Sequence, residues 1–399
     1  RLGLKDIGIR PRYYSDGENA CIYEGPLPLS EHDVAGMELR LNAAAAHAGE
    51  AVGDCVPLEG KLILAIESSC DETAAALIDE AGTIVADVVA SQIDFHSRFG
   101  GVVPEIASRK HVECVSVVLK ETLKQANIKM EDLDAICVTK GPGLVGSLHI
   151  GLQVAKTLSL AYDKPLIGVH HIAGHIYANN YEKDIVYPAL CLVVSGGHTE
   201  LVLMKHPYSF EVIGETLDDA VGEAYDKVGR VLNLPYPGGP VLDKMDHLGK
   251  ASYHLPKPLD DDSYNFSFSG LKSAVINLAH NHRQKGLEIN QNDLATSFQN
   301  VVVDVLVDKT IRAAKEYGVK EIMLAGGVSA NRGLREKMKE QVAMLEDVQL
   351  SLPPMKCCTD NAMMIALAGK VMYDNNKFSD LSLGIKPHLD LELESIGGD

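Results

Sequence analysis

The chain has 399 residues, 46% of them hydrophobic and 23% charged, which is the composition of a soluble globular protein with two or three domains. Its formal net charge of −18 argues against a protein that wraps nucleic acid by bulk electrostatic attraction. No apolar run approaches the roughly 20 residues of a membrane-spanning helix, and the eight cysteines form no CxxC pair, so we predict a cytoplasmic protein without membrane association.

Residues 1–57 differ from the rest of the chain and are predicted to form a separate segment. IGIRPRYYSDGENACIY predicts a strand, a turn at Ser15-Asp16-Gly17 and a second strand, and LNAAAAHAGEAVG favours a short helix or a linker. The run RLGLKDIGIRPRYYSDGENACIY resembles the C-terminal end of the ribosomal-protein alanine N-acetyltransferase family. These residues lack the acetyl-coenzyme A loop that such a domain needs, so we expect a remnant and linker without acetyl-transfer activity.

Residues 58–187 are predicted to form an N-terminal α/β lobe. LILAIES, ETAAALID and TIVADVVASQ predict three strands joined by tight turns, and a helical run follows from about Pro104 to Ala126. DAICVTK then predicts a strand, GPGLVGSLHIGLQVAKTLSLAY a glycine loop that enters a helix, and PLIGV a further strand.

Residues 188–399 are predicted to form a C-terminal lobe that repeats this order. PALCLVVSGGHTELVLMK predicts a strand hairpin with a glycine turn, followed by SFEVIGETL, several helices, the strand EIMLAGG and helices to about Tyr373. Three consecutive strands followed by helix, strand and helix therefore occur twice, which indicates a duplicated α/β unit.

Three turns rich in small residues have one design: ESSCDET, VVSGGHTE and LAGGVSANRGLR. Small residues allow the backbone to approach a ligand closely, and successive N–H groups in such turns bind anions. Each turn alone is more often a plain turn than a phosphate-binding loop. Their order in a duplicated α/β chain is similar to the actin, sugar-kinase and heat-shock-chaperone (ASKHA) superfamily. We therefore predict a two-lobed, duplicated actin-like and sugar-kinase-like fold with a nucleotide cleft between the lobes.

HHIAGH places His171 and His175 four residues apart, on one face of a helix. A zinc protease with this spacing needs Glu directly after the first histidine as its general base, and the chain has Ile172 there. That position argues against a metalloprotease. A pair of packed or solvated histidines and a metal that binds a ligand both remain open.

Asp360 in CCTDNAMMIA is a candidate third ligand, because two histidines and one carboxylate leave open positions on iron or a similar ion. The alternative is that Asp360 caps the following apolar helix. The sequence alone does not separate the two.

Nine motifs in fixed order resemble the TsaD family, which makes N6-threonylcarbamoyladenosine in tRNA, over about Lys61 to Pro387. They are AIESSCDETAAAL, GGVVPEIASRKH, GPGLVGSLHIG, HHIAGH, LVVSGGHTEL, DDAVGEAYDKVGRVLNLPYPGGP, FSFSGLKSAV, AGGVSANRGLR and TDNAMMIALAG. The resemblance implies that His171, His175 and Asp360 hold one Fe²⁺ per subunit, or Zn²⁺ or another divalent ion.

The resemblance also implies a substrate site formed by Val193, Val194, Ser195, Gly196, Gly197, Asp226, Gly239, Asp243 and Asn331. The first five would line the adenylate, the next three would contact the ribose and neighbouring groups, and the last would bind near the phosphate and nucleoside. Two simpler interpretations stay open. Asp226 is spaced to pair with Arg230 on a helix surface, and Gly238-Gly239 after Pro237 is compatible with a plain turn.

The implied reaction moves the threonylcarbamoyl group from threonylcarbamoyl-AMP to N6 of the adenosine 3′ of the anticodon, in tRNAs that decode codons beginning with A, and releases AMP. No catalytic residue is assigned; Asp71 and Glu72 are candidate bases, and a solvated hairpin tip is the alternative. The implied partners are tRNA, a TsaB-like protein and a TsaE-like ATPase. The basic cluster Ser108–His111 is a candidate contact for tRNA phosphates or a solvated helix face. The rival function is an ATP-binding or ATP-hydrolysing regulator of the actin-like superfamily.

Overall fold

The computed structural model describes residues 60–396, apart from the side chain of Arg283. Nearer the N-terminus it describes the backbone of three short strands: β1 (Lys5–Arg10), β2 (Ala20–Glu24) and β3 (Leu39–Leu41). The chain divides into two compact units, Arg1–Glu38 and Leu39–Asp399.

The smaller unit contains an antiparallel pair formed by β1 and β2, which confirms the two strands predicted there. The predicted turn at Ser15-Asp16-Gly17 and the predicted helix or linker in residues 42–53 lie outside the described residues. β3 belongs to the larger unit. The acetyltransferase-like remnant and the domain boundaries at 57/58 and 187/188 stay predictions.

The first sheet of the larger unit has six strands in the order β3-β6-β5-β4-β7-β8. The five strands after β3 are β4 (Leu62–Glu67), β5 (Glu72–Asp79), β6 (Ile84–Ser91), β7 (Ala135–Gly141) and β8 (Leu166–His170). β4, β5 and β6 form an antiparallel meander, and β7 and β8 extend the sheet in parallel from β4. Helices pack against this sheet, so β4 is buried along its whole length.

Residues 60–187, called the first half below, contain four α-helices that alternate with these strands or follow them. They are α1 (Ile93–His96), α2 (Pro104–Ala126), α3 (Val145–Tyr162) and α4 (His171–Tyr177). α2 begins with a proline in its first turn, where a missing N–H costs little, and ends at Asn127 in the left-handed conformation, with φ 52°. Its bounds confirm the predicted helix. α4 begins directly after β8, so the end of a buried strand positions its two histidines.

The second sheet has five strands in the order β11-β10-β9-β12-β13. They are β9 (Ala189–Val194), β10 (Thr199–Met204), β11 (Glu211–Glu215), β12 (Glu321–Ala325) and β13 (Gln349–Ser351). β9, β10 and β11 form an antiparallel meander, and β12 and β13 extend the sheet in parallel from β9. This is the pattern of β4 to β8, so the predicted duplication of an α/β unit is confirmed.

The helices of the second half are α5 (Val221–Val231), α6 (Gly238–Asp246), α7 (Ser269–Gln284), α8 (Gln291–Tyr317), α9 (Arg332–Val342) and α10 (Ala362–Asp374). α10 follows the second sheet in sequence but packs against β4, β5 and α4 of the first half. Residues of both sheets, α4 and α10 share one hydrophobic core, and a second core lies between the second sheet, α5 and α8. Within residues 60–396, no helix combines the length and apolarity needed to cross a bilayer.

Candidate metal and nucleotide site

The fold brings the three predicted metal ligands together. Nε2 of His175 lies 3.1 Å from Oδ1 of Asp360, and Nε2 of His171 lies 3.5 Å from the same oxygen. One ligand atom from each of the three residues lies within 4.8 Å of the others. α4 supplies both imidazoles on one face, and the return of α10 to the first sheet supplies the carboxylate.

The alternative prediction that Asp360 caps α10 is wrong. The cap is Asn361, whose Oδ1 accepts a hydrogen bond from the backbone N–H of Met364 at 2.9 Å. Because the neighbouring amide satisfies the end of the helix, the carboxylate of Asp360 faces His171 and His175 instead.

Glu67, at the end of β4, contacts the other nitrogen of His171: its Oε2 lies 3.3 Å from Nδ1. Burial alone would lower the pKa of His171, but the charges of Asp360 and Glu67 outweigh it and raise the pKa to about 9. Burial would likewise raise the pKa of Asp360, but His171 and His175 lower it to about 2. The imidazole of His171 therefore lies between two carboxylates, Asp360 on its Nε2 side and Glu67 on its Nδ1 side.

The donor set fits a divalent transition-metal ion. Two imidazole nitrogens and one carboxylate are the ligands of open-sided Fe(II) sites. Donor atoms that share one ion at about 2.1 Å are separated by roughly 3 Å, which is close to the separations of 3.1 and 3.5 Å found here.

The second and third predicted turns meet in one corner of the larger unit. The turn between β9 and β10 begins at Ser195, and a Cβ on Gly222 at the start of α5 would lie 2.7 Å from the Ser195 carbonyl oxygen. Gly326, after β12, has φ 87°, and a Cβ there would lie 2.5 Å from the carbonyl oxygen of Val194. These approaches require glycine, so the backbone of the two turns is held in contact.

The first predicted turn is braced from several sides. The carbonyl oxygen of Cys70 accepts hydrogen bonds from Nε2 of His111 at 2.9 Å and from Oγ of Ser147 at 3.0 Å. Nδ1 of His111 lies 2.8 Å from Oγ1 of Thr73, and burial lowers the pKa of His111, which favours the neutral ring. The turn also reaches the metal ligands, because Oγ of Ser69 lies 3.1 Å from Nδ1 of His171.

The two candidate bases lie in this braced turn. Oε1 of Glu72 accepts a hydrogen bond from Oγ of Ser91 at 2.8 Å. Burial and then the charge of Asp71 raise the pKa of Glu72 well above its ordinary value. Both side chains are half-buried, so the alternative of a solvated hairpin tip is wrong.

Asp226, in the middle of α5, binds the start of the next helix. Oδ1 of Asp226 accepts a hydrogen bond from the N–H of Gly238 at 2.7 Å, at the first residue of α6. Gly238 and Gly239 therefore begin a helix instead of forming a plain turn. Arg230, the alternative partner of Asp226, donates to the carbonyl oxygen of Gly100 at 3.1 Å.

Asp243 and Asn331 meet at the start of α9. Oδ1 of Asn331 accepts from the N–H of Leu334 at 2.8 Å, and its Nδ2 donates to Oε1 of Gln299 at 2.9 Å. Oδ1 of Asp243 accepts from Nε2 of Gln299 at 2.9 Å and from the N–H of Arg332 at 3.2 Å. Gln299 thus joins the two predicted residues, and the sequence offered no signal for it within an ordinary helix.

The five predicted adenylate residues divide into two groups. The side chains of Val193 and Val194 are fully buried, one in each hydrophobic core, so only their backbone can face a ligand. Gly196 and Gly197 are exposed, and a Cβ on either would meet nothing within 4 Å. Ser195 holds the turn together, because its Oγ accepts from the N–H of His198 at 3.0 Å.

Comparison with known proteins identifies the family. The profile of TsaD, described as tRNA N6-adenosine threonylcarbamoyltransferase, matches residues 83–367. The tRNA N6-adenosine threonylcarbamoyltransferase of Bacillus cereus is 58% identical over 342 residues, covering 86% of this chain and 100% of the relative. This chain belongs to the TsaD family. The enzyme of the same name from Bacillus subtilis is 59% identical over 330 residues, covering 82% of this TsaD-family chain and 95% of the relative.

Solved structures support the fold of this TsaD-family chain. HypF from T. kodakarensis superposes with a TM-score of 0.55 at 14% identity, covering 80% of this chain and 49% of HypF. Full-length HypF in a phosphate- and nucleotide-bound form superposes with a TM-score of 0.53 at 15% identity, covering 79% of this chain and 55% of HypF. The duplicated α/β architecture is the predicted actin-like and sugar-kinase-like fold, and the nucleotide cleft stays a prediction.

The predicted basic cluster of this TsaD-family chain is largely internal. Lys110 is buried, forms an ion pair with Glu113 at 2.5 Å and lies 4.4 Å from the ring centroid of Phe95. His111 braces the first turn, and Arg109 is exposed. The prediction that the cluster forms a surface for tRNA phosphates is therefore wrong for Lys110 and His111.

Sequence reasoning missed Glu67 and His198, which lie near the three candidate metal ligands of this TsaD-family chain. Glu67 ends an apolar strand and is fully buried, and an acid within a strand of that kind is itself an unusual signal. His198 follows the glycine turn. Burial and then the charges of His171 and His175 lower its pKa to about 4, so it is neutral at pH 7 and lies within electrostatic range of both ligands.

Proposed function

We propose that this chain transfers the threonylcarbamoyl group from threonylcarbamoyl-AMP to N6 of the adenosine 3′ of the anticodon, in tRNAs that decode codons beginning with A. One observation carries the proposal beyond family membership. The metal-ligand set contacts the first turn through Ser69, 3.1 Å from His171, and lies within electrostatic range of His198 in the second turn. The first turn therefore contacts the candidate ligand set, and His198 of the second turn lies within electrostatic range of it, which supports a shared role for both turns.

The proposed donor determines what the protein has to do. Threonylcarbamoyl-AMP is a mixed anhydride, so it needs no covalent nucleophile on the enzyme. The N6 amine attacks the carbamoyl carbon, the bond from that carbon to the phosphate oxygen breaks, and AMP leaves. Backbone N–H groups of the turns at Gly196-Gly197 and Gly326-Gly327 bind the phosphate, while Asp226, Asp243 and Asn331 orient the nucleoside.

A ferrous or similar divalent ion is the proposed cofactor, held by His171, His175 and Asp360. Bound there, it would act as a Lewis acid toward the phosphate of the leaving AMP. The set has the ligand types and separations that such an ion needs.

The attacking amine releases a proton, and the braced first turn holds the group that we propose receives it. Burial and the charge of Asp71 raise the pKa of Glu72 well above its ordinary value, which favours the protonated form of Glu72. Asp71 is then the carboxylate of the pair that accepts the proton from N6.

The proposed partners follow from the family resemblance, and the charge of the chain is consistent with them. The chain carries a formal net charge of −18, and Lys110 of its clearest basic cluster is buried in an ion pair. TsaB-like and TsaE-like proteins would therefore share the binding of tRNA, in the cytoplasm where tRNA is modified.

A reconstituted reaction tests the function. Purified chain, TsaB-like and TsaE-like partners, synthetic threonylcarbamoyl-AMP and unmodified tRNA are incubated, and the digested tRNA is analysed by mass spectrometry. We expect N6-threonylcarbamoyladenosine and AMP in equal amounts. Absence of the modified nucleoside from this mixture, together with hydrolysis of added ATP by the purified chain alone, would overturn the proposal in favour of an ATP-hydrolysing regulator, the alternative that the relatives do not favour.

A further inference from the structure

Glu67 is a fully buried acid whose carboxylate has three partners at the candidate metal site. Its Oε1 accepts a hydrogen bond from the backbone N–H of Ser69 at 2.5 Å. Its Oε2 accepts from Oγ1 of Thr139 at 2.5 Å and lies 3.3 Å from Nδ1 of His171. β4 and β7 are paired in register through Ile66 and Val138, one residue before Glu67 and Thr139, so the backbone of two strands fixes the carboxylate.

Which nitrogen of His171 carries the proton decides whether the ring can bind a metal. Nε2 faces Asp360 at 3.5 Å, and Nδ1 lies 3.3 Å from Oε2 of Glu67 and 3.1 Å from Oγ of Ser69, a hydroxyl that can donate elsewhere and accept from the ring as Glu67 does. A carboxylate beside Nδ1 keeps the proton there, which leaves the lone pair of Nε2 for a metal ion. The same contact with Glu67 also fixes the orientation of the His171 ring.

We propose that Glu67 is a positioning residue that sets the tautomer and orientation of His171 for metal binding. The inference deepens the proposed function and rests on its metal site. Thr139 acts through Glu67, because its hydroxyl holds the oxygen that faces His171. Partners of this kind typically raise metal affinity by about 10–100-fold.

A buried acid can also be purely structural, and the chain offers a matched control in Glu321. Glu321 begins β12 and is fully buried. It accepts from the N–H of Val186 at 2.5 Å and from the hydroxyl of Ser351, so it too combines a backbone and a hydroxyl donor. Its further partners are Gln349 and Lys183 instead of a histidine.

The test compares Glu67→Gln and Glu321→Gln in the full-length chain, without tRNA or donor. Co²⁺ affinity is measured by competition with a chromogenic chelator, the Co²⁺ d–d absorption spectrum is recorded, and the thermal unfolding of the metal-free variants is compared. We expect Glu67→Gln to weaken Co²⁺ binding by about 10–100-fold and to change the spectrum. We expect Glu321→Gln to bind Co²⁺ as the wild type does.

Wild-type affinity and an unchanged spectrum in folded Glu67→Gln would overturn the inference. If that variant fails to fold, Thr139→Val keeps the carboxylate and removes its hydroxyl donor, with Thr139→Ser as the control. A several-fold loss confined to Thr139→Val supports the inference, and equal affinity in both overturns it. The Co²⁺ measurements contain no substrate, so they are independent of the transferase assay. If Glu67→Gln binds Co²⁺ more weakly than Glu321→Gln but the wild type shows no transferase activity, the proposed function is contradicted and the inference about Glu67 is not.

Discussion

Asp360 and Asn361, the two residues before α10, have different partners. Asn361 satisfies the end of the helix, and Asp360 faces the histidines of α4. The division matters because an acid used as a cap would have its oxygens directed to backbone N–H groups and away from an ion. One can therefore remove the cap or the proposed ligand separately.

Replacing each of these residues by alanine should have different effects. Asp360→Ala should weaken divalent-metal binding by more than about 100-fold, because it removes a direct ligand. Asn361→Ala should destabilise the fold by about 1 kcal/mol and leave metal affinity within a few-fold of the wild type. Metal titration and chemical denaturation measure the two effects. Unchanged metal binding in Asp360→Ala would contradict the assignment of this ligand.

The acidic pair in the first turn gives a second prediction. If Glu72 is protonated at neutral pH, Glu72→Gln should retain most of the transferase kcat, because the amide replaces a neutral acid of the same shape. Asp71→Asn should lower kcat by about 10²–10⁴-fold, since it removes the proposed proton acceptor. Rates at saturating donor and tRNA decide this. A large loss of kcat in Glu72→Gln with little loss in Asp71→Asn would instead make Glu72 the acceptor of the proton from N6.

The sequence predicted the three candidate metal ligands but not Glu67 and Thr139, which lie behind His171. His171 and His175 could be predicted from their helical spacing. Asp360 could be predicted from its position before an apolar helix together with the family resemblance. Glu67 and Thr139 lie 72 positions apart, and their contact depends on the parallel pairing of β4 with β7. A register between distant strands cannot be read from either strand alone.

Among the secondary-structure elements, the hairpin of β10 and β11 contains an unfavourable pair. Glu200 and Glu215 lie directly opposite each other in the antiparallel register, where like charges destabilise a sheet. Burial, followed by the charges of Glu215 and Asp390, raises the pKa of Glu200 to about 7.

This pair predicts a pH-dependent effect of Glu200→Gln. The pKa of Glu200 rises from an ordinary value of 4.5 to about 7 on folding. In that interval the folded chain holds a proton that the unfolded chain has released, so the stability of the wild type falls as pH rises from about 4.5 to about 7. Glu200→Gln should therefore stabilise the protein by about 1–2 kcal/mol at pH 8, allowing for partial exposure, and by almost nothing at pH 4.5.

Urea denaturation at the two pH values measures this difference. A stabilisation by Glu200→Gln of equal size at both would contradict the explanation by protonation, because it would point to packing. Glu215→Gln should show a smaller effect in the same direction, since it removes one of the charges that act on Glu200.

The elements themselves were largely predictable, whereas the placement of α10 was not. The strands and α2 follow from hydrophobic periodicity, a proline start and a left-handed end. α10 is apolar over most of its surface and is buried along most of its length. Such a helix has no polar face to orient it, so tertiary packing alone determines that it returns to the first sheet.

For the whole molecule, the strongly negative net charge should limit the affinity of the chain for tRNA. With a formal net charge of −18, the chain alone should neutralise few phosphates. We expect weak tRNA binding by the chain alone, with affinity falling by about tenfold or less between 50 and 200 mM salt. Adding TsaB-like and TsaE-like partners should raise both the affinity and its salt dependence. Fluorescence anisotropy with labelled tRNA measures both, and tight, strongly salt-dependent binding by the chain alone would contradict this account.

The duplicated architecture was predictable because both halves repeat the order of three strands, helix, strand and helix. That both halves contribute residues to one site was harder to predict from the sequence. α4 belongs to the first half, and Asp360 follows the second sheet. Their meeting depends on the core shared by both sheets.

The central claim is that the ligand set of His171, His175 and Asp360 serves threonylcarbamoyl transfer to tRNA. Complementation of a strain that lacks this modification tests it most directly, with the N6-threonylcarbamoyladenosine content of cellular tRNA measured by mass spectrometry. The wild-type chain and Glu321→Gln should restore the nucleoside, and His171→Ala and Asp360→Ala should not. Restoration of wild-type levels by both of the latter variants would contradict the account.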